Sequence, residues 1–331
     1  MKNLAFILSA LVITVASLTY ALWGIDYQEL YRLLASANYL ALAPFLVALA
    51  LFMGFNALRW VFLLRPLGRF SLPQVLPAMM IGFAGNNVLP AHLGELVRVV
   101  VFSRQYGTPA SGVFVTQVVE RILDVFAILM LYFVAVWMID PFPENIRVGA
   151  ELVAMVMGAL CLVIIIFMRY PEPFLRLYDR LTGWMPQGLR KKGHALLQNA
   201  VTGLSSLKSP ATLAIALAIS LLRWASCGAM IWLALWAFDT PISLPVALIV
   251  NAVAALAVTV PTAPGFFGTM QAVFVFALAP FGISQEVALA ASVFYLISQW
   301  FPVTLTGAAF FIATGFDAKE VAEAAEHVGE A

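Results

Sequence analysis

Six predominantly apolar runs, each long enough to cross a bilayer, constrain this chain more than any other feature. They cover residues 4–23, 38–64, 112–138, 149–168, 210–238 and 286–314. A helix rises about 1.5 Å per residue, so about 20 residues span the hydrocarbon. Composition agrees: 63% of the 331 residues are hydrophobic and 11% charged, against about 45–50% and about 25% in a soluble domain. Polar groups too few to cover an exterior exclude a soluble enzyme, a nucleic-acid binder and a disordered chain. The first run follows Lys2. It is longer than the roughly 7–15 apolar residues of a signal peptide and reads as a retained helix. Cys161 and Cys227 both lie in apolar stretches and read as small packing residues.

Two further regions are apolar but broken. Residues 74–105 contain Gly82, Gly85, Asn86, Asn87, Pro90, Gly94, Glu95 and Arg98, and residues 244–281 contain the run Pro261-Thr262-Ala263-Pro264-Gly265-Phe266-Phe267-Gly268. Each apolar piece is about 15 residues long, and proline and glycine at its centre end a helix. Each region predicts a re-entrant helical hairpin; two short kinked spanning helices are the alternative. The expected fold is an all-α polytopic membrane protein with about six full spans plus two hairpins, eight or more membrane helices in all. With the N-terminus inside, twelve Lys and Arg residues fall in cytoplasmic segments and only Arg32 and Arg147 outside. That bias predicts an inner-membrane protein with both termini cytoplasmic. An acidic tail, 315–331, falls on the same side.

Leu58-Arg59-Trp60 recurs as Leu222-Arg223-Trp224. Each string precedes a broken region with a Pro-x-x-x-Gly turn, Pro90 to Gly94 and Pro261 to Gly265, and then a long apolar helix. The order helix, hairpin, helix thus appears twice, over about 38–138 and 210–314, within one integral membrane domain. Counting crossings sets the copies in opposite orientation, the inverted-topology repeat of many transporters.

Seven formal charges sit inside these segments: Arg59, Glu95, Arg98, Glu120, Arg121, Asp124 and Arg223. Each costs about 2.5–3.5 kcal/mol at the bilayer centre, so they are expected to face one another, a cavity or a ligand. Four positive against three negative leaves one positive charge, which suits a phosphate. An ion-pair network that only fixes helix register is the alternative. Glu120 and Asp124 share a helix face, and Arg121 is within reach of Asp124. Half-helix N-termini near Gly94 and Gly265 would offer free N–H groups to an anion. His92 reads as a hydrogen-bonded turn residue, and Asn87 as a polar group that satisfies unwound backbone or touches a headgroup.

Residues 169–208 carry seven basic residues against two acidic, net +5, with leucines at helical spacing. They read as basic amphipathic helices on an anionic cytoplasmic leaflet. The sequence holds no Walker loop, nucleophile elbow, zinc motif or Cys/His cluster, so neither metal nor cofactor is expected, and no enzymatic chemistry.

The run Asn87-Val88-Leu89-Pro90-Ala91-His92-Leu93-Gly94-Glu95-Leu96-Val97-Arg98, then Glu120-Arg121-Ile122-Leu123-Asp124, and later Pro261-Thr262-Ala263-Pro264-Gly265, resembles the lysylphosphatidylglycerol synthase transmembrane-region, or flippase-like, family. The resemblance spans about residues 5–315. It implies movement of a lipid between leaflets. The aminoacyl transferase fused to this domain in some relatives is missing from the sequence, so the expectation is a stand-alone member, for which a lysyl-lipid substrate does not follow. The family's second turn often continues to a glutamate; Gln271 stands after Gly268 here, which shifts the second repeat's charge onto Arg223. The expected function is a flippase for an anionic phospholipid or a polyprenyl-phosphate lipid. Its candidate binding residues are Arg59, Asn87, Pro90, His92, Gly94, Glu95, Arg98, Glu120, Arg121, Asp124, Arg223, Pro261, Pro264, Gly265 and Gln271. Alternatives are a transporter of a small soluble anion and a non-catalytic membrane partner of a separate lipid- or glycan-modifying enzyme.

Overall fold

A computed structural model describes residues 2–89, 92–139, 170–185, 210–259 and 263–317, with scattered positions between 151 and 194 and Val321. Among these residues every regular element is helical. The helices are α1 (Lys2–Leu22), α2 (Tyr27–Ser36), α3 (Leu42–Leu63), α4 (Leu72–Val88), α5 (Leu93–Tyr106), α6 (Ala110–Met138), α7 (Pro171–Leu181), α8 (Pro210–Trp236), α9 (Leu244–Ala257), α10 (Thr269–Leu278) and α11 (Gln285–Thr314).

Local chemistry sets several boundaries. Asp26 accepts the N–H groups of Gln28 and Glu29 and starts α2. At the start of α4 the Ser71 N–H donates to Gln74 Oε1 at 2.8 Å, half of a capping box. Ser284 accepts the Val287 N–H to open α11, and Gly315 closes it in the left-handed region.

Among the described residues, five helical segments are long and apolar enough to cross a membrane: Tyr39–Leu63, Ala110–Met138, Ala211–Trp236, Pro264–Phe281 and Gln285–Thr314. Four match expected runs. The fifth lies in the second broken region, whose pieces the sequence reading took as too short. Single 3-10 turns, Pro264–Phe266 and Ala279–Phe281, flank α10 and lengthen it to 18 residues. The run 149–168 and the tail 318–331 lie outside the described residues, apart from isolated positions.

On α3 the buried residues Phe45, Leu49, Phe52, Asn56, Arg59, Trp60 and Leu63 recur at three- and four-residue steps and form one inward face. Leu46, Val47 and Leu51 lie exposed on the other side. That arrangement suits lipid as solvent. The inward face packs along α8, and the two helices form the centre of the molecule. Around this pair, α4 packs on α5 and on α11, while α9 packs on α10 and on α6. Small residues permit the closest approaches, because helices in lipid associate through fit rather than through exclusion of water. A Cβ on Gly85 would stand 2.8 Å from Gly94 Cα, and one on Gly82 2.8 Å from Arg98 Cβ, so α4 and α5 run antiparallel nearly backbone to backbone. A Cβ on Gly94 would overlap the Gly82 carbonyl and the Asn86 backbone, and one on Gly307 would overlap Met80 and Ala84. The first helix belongs to the same body: Thr14 Oγ1 accepts the Ala263 N–H at 3.0 Å, and α1 packs on α10.

Candidate functional site

All seven embedded charges line one cavity of about 180 Å³. Arg59 comes from α3, Glu95 and Arg98 from α5, Glu120, Arg121 and Asp124 from α6, and Arg223 from α8. Asn87 of α4 and His92, the residue before α5, complete the expected residues on its wall.

Asp124 is the hub. Its Oδ1 accepts from Arg59 Nη1 at 2.5 Å, Arg223 Nη1 at 2.7 Å and the Trp224 indole N–H at 3.0 Å. Arg59 also donates to Ser220 Oγ at 2.9 Å and lies 3.7 Å from Glu120. Arg98 grips Glu120 with both terminal nitrogens, at 2.9 and 3.2 Å. Fork-to-carboxylate pairs of this kind are the strong ones. Arg121 pairs with Glu95 and lies 3.8 Å from Asp124 Oδ2. Glu120 turns to Arg98 and Arg59 rather than to Arg121, because residue 121 is rotated about 100° from residue 120 around the helix. Arg59 is 1% exposed, held inward by its carboxylates.

Burial grades across the site. The side chains of Arg59, Asp124 and Arg223 are 2%, 6% and 7% exposed, whereas Arg121 is 59% exposed. Arg121 and Glu95 therefore form the mouth, and Arg223 and Asp124 the floor. Aromatic rings hold the arginines. Arg98 lies 3.6 Å from the centre of the Trp60 ring, and Arg223 lies 4.4 Å from Trp224 and 4.9 Å from Phe52. Glu95 also sits in the first turn of α5, where the helix dipole favours a carboxylate.

The tips of the two broken regions meet beside this cavity. His92 Nε2 lies 3.0 Å from the Val258 carbonyl oxygen, and its ring stands 5.5 Å from Phe266. Both residues have positive φ, 55° and 62°, an uncommon conformation for side-chain-bearing residues. Asn87 donates to Thr304 Oγ1 at 2.9 Å and ties the first tip to α11.

The remaining candidates fall elsewhere. Gly94 is a packing residue under α4. Pro264 and Gly265 form a 3-10 turn in which Gly265 has φ 69° and faces the Trp300 indole. The helix therefore begins at Thr269, four residues after the glycine expected to start it. Gln271 is buried and accepts the Gly268 N–H at 2.6 Å, capping α10. Pro90 and Pro261 lie outside the described residues. Sequence reasoning missed Ser220, Trp60 and Trp224 as parts of the network. The tryptophans stood in the repeated Leu-Arg-Trp string, which was the available signal; Ser220, one turn before Arg223, carried none. Among the described residues no group of three His, Cys, Asp or Glu is placed to hold a metal.

A family model described as the lysylphosphatidylglycerol synthase TM region matches residues 4–307. The chain belongs to that family. It is a multi-pass membrane protein. It is similar to a UPF0104 membrane protein of Methanothermobacter thermautotrophicus, 27% identical over 278 residues, covering 77% of this chain and 78% of the relative. A UPF0104 membrane protein of Methanocaldococcus jannaschii is 22% identical over 228 residues, covering 68% and 92%. The matched span of the family takes in every residue of the charged cavity.

Proposed function

We propose that this chain carries the headgroup of a phosphate-bearing lipid, an anionic phospholipid or a polyprenyl phosphate, between leaflets of the inner membrane. The observation that carries this reading is the convergence of four arginines and three carboxylates, from four helices, on one cavity with a surplus positive charge. Charges so embedded are costly unless paired or used, and a phosphodiester supplies the missing unit of negative charge.

Architecture supports the same reading. Under an inverted repeat, α3 corresponds to α8, α4–α5 to the α9–α10 region and α6 to α11. The helix contacts support such a pseudo-twofold: α4 lies on α11 as α9 lies on α6, with α3 and α8 paired at the centre. Arg59 and Arg223 then become equivalent residues, and both reach Asp124. The broken regions would be re-entrant hairpins whose tips meet at His92 and Phe266. Irregular backbone at membrane depth is tolerated where protein or a wet cavity satisfies it. The termini and the basic segment 169–208 would be cytoplasmic, the latter lying on anionic lipid or against a lipid-modifying enzyme. The chain would move its substrate without making or breaking bonds.

Purified protein in liposomes, given acyl-labelled phospholipids and polyprenyl phosphates, tests this directly. Labelled lipid should become accessible from the opposite leaflet in a protein-dependent manner. Absence of lipid movement combined with uptake of radiolabelled inorganic phosphate would identify a soluble-anion transporter instead.

A further inference from the structure

We infer that the headgroup accepted by this cavity carries net negative charge and no ammonium group, so that an aminoacylated or zwitterionic lipid is discriminated against. The inference rests on the transport reading and names its substrate class.

The argument is about which charges remain unclaimed. Every carboxylate on the cavity wall already faces an arginine. Glu95 is taken by Arg121, Glu120 by both nitrogens of Arg98, and Asp124 Oδ1 by two arginines and an indole. An ammonium group entering here would find no free carboxylate and an excess of one positive charge, four arginines against three carboxylates. It would have to break a buried pair to bind, and an orphaned buried charge is strongly unfavourable.

The cations are in surplus in a specific place. Among the described residues Arg223 makes one ion pair, through Nη1, and shares that carboxylate with Arg59 and Arg121. Its Nε, like those of Arg59 and Arg98, is buried without a hydrogen-bond partner among the described residues. The Phe52 and Trp224 ring centres lie 4.9 and 4.4 Å from the Arg223 guanidinium carbon; a phosphate approaching in the guanidinium plane would meet its Nε–Nη2 edge once the contacts that bury Nε gave way. Two parallel N–H···O bonds to a phosphate use that edge. Arg121, half-exposed at the mouth, meets the same anion first. Lipid headgroup and free phosphate share this chemistry; a cationic headgroup does not.

The test uses the full chain in proteoliposomes with three lipids bearing the same acyl-chain fluorophore: phosphatidylglycerol, phosphatidylethanolamine and lysyl-phosphatidylglycerol. Bleaching from outside reads translocation. Phosphatidylglycerol, net −1, should move at least about ten-fold faster than the lysyl lipid, whose two ammonium groups make it net +1, since even one unit of charge at a few ångströms in a partly buried site discriminates about that strongly. Arg223→Gln should slow phosphatidylglycerol about ten-fold and bring the ratio between the two lipids towards one, whereas Arg223→Lys should slow transport but keep the ratio. Equal or faster movement of the lysyl lipid by the unmodified protein overturns the inference and leaves the transport reading standing. No movement of any lipid, with uptake of radiolabelled inorganic phosphate, overturns lipid transport while keeping the anion preference; no movement of either overturns both. Should Arg223→Gln fail to fold, the comparison in the unmodified protein decides alone.

Discussion

Arg59 and Arg223, from α3 and α8, donate to the same oxygen atom, Oδ1 of Asp124, at 2.5 and 2.7 Å. Two cations on one carboxylate oxygen leave that corner of the cavity electropositive. The second carboxylate, Glu120, is committed mainly to Arg98. The arrangement is stable as a whole and intolerant of single deletions, which gives the following expectations.

Glu120→Ala should be severely destabilising. It leaves Arg98 without its forked partner and removes one of the two carboxylates near Arg59. Breaking a buried pair by removing one side costs about 3–5 kcal/mol. Thermal unfolding in detergent should show a large loss, with Glu120→Gln intermediate because its amide oxygen still accepts from Arg98. A folded, fully active Glu120→Ala protein would contradict the network.

The tryptophans of the two Leu-Arg-Trp strings should differ in cost. Trp224 donates to a carboxylate, whereas Trp60 donates to the Thr116 hydroxyl at 2.9 Å. Replacing each by phenylalanine keeps a ring for the neighbouring arginine and deletes the N–H. Hydrogen bonds to charged groups contribute about 1.5–3 kcal/mol and neutral ones about 0.5–1.5. Trp224→Phe should therefore lower the melting temperature more than Trp60→Phe; the reverse order would place the main anchor elsewhere than Asp124.

Two glycine substitutions separate packing from propensity. A Cβ at Gly94 would overlap α4, so Gly94→Ala should destabilise by about 1–3 kcal/mol or force α4 and α5 apart. Gly54 lies within α3 with nothing within 4 Å of an added Cβ. Gly54→Ala should be neutral or stabilising by up to about 1 kcal/mol. Melting curves of the two variants measured side by side would check the contrast.

Topology is accessible to labelling. In a background with Cys161 and Cys227 replaced, a cysteine at position 145 should react with an impermeant reagent added from outside the cell, and one at position 190 should react only after permeabilisation. The basic bias along the chain carries this expectation, and the opposite pattern would invert the whole orientation.

Composition and run length by themselves determined that this chain lives in lipid, because no soluble exterior can be built from it, and they located four of the five segments that pass as spans. The charges that lipid penalises were equally legible, and all seven converge as their cost requires. Partner choice was not legible. Whether Glu120 meets Arg121 or Arg98, and whether Glu95 meets Arg121, depends on how α5 is rotated against α6, and helix rotation follows from side-chain fit over the whole contact. The role of Gly94 was hidden for the same reason: a glycine at a turn looks like a flexible ligand-binding position until its neighbour is known to be the backbone of α4. Gln271, Pro264 and Gly265 were part of the expected site, but the 3-10 turn before Thr269 sets Gln271 onto its own helix cap. Sequence fixes which groups must be satisfied away from water; only the tertiary packing of α3, α5, α6 and α8 decides by which partners, since those partners are brought together by contacts far apart along the chain.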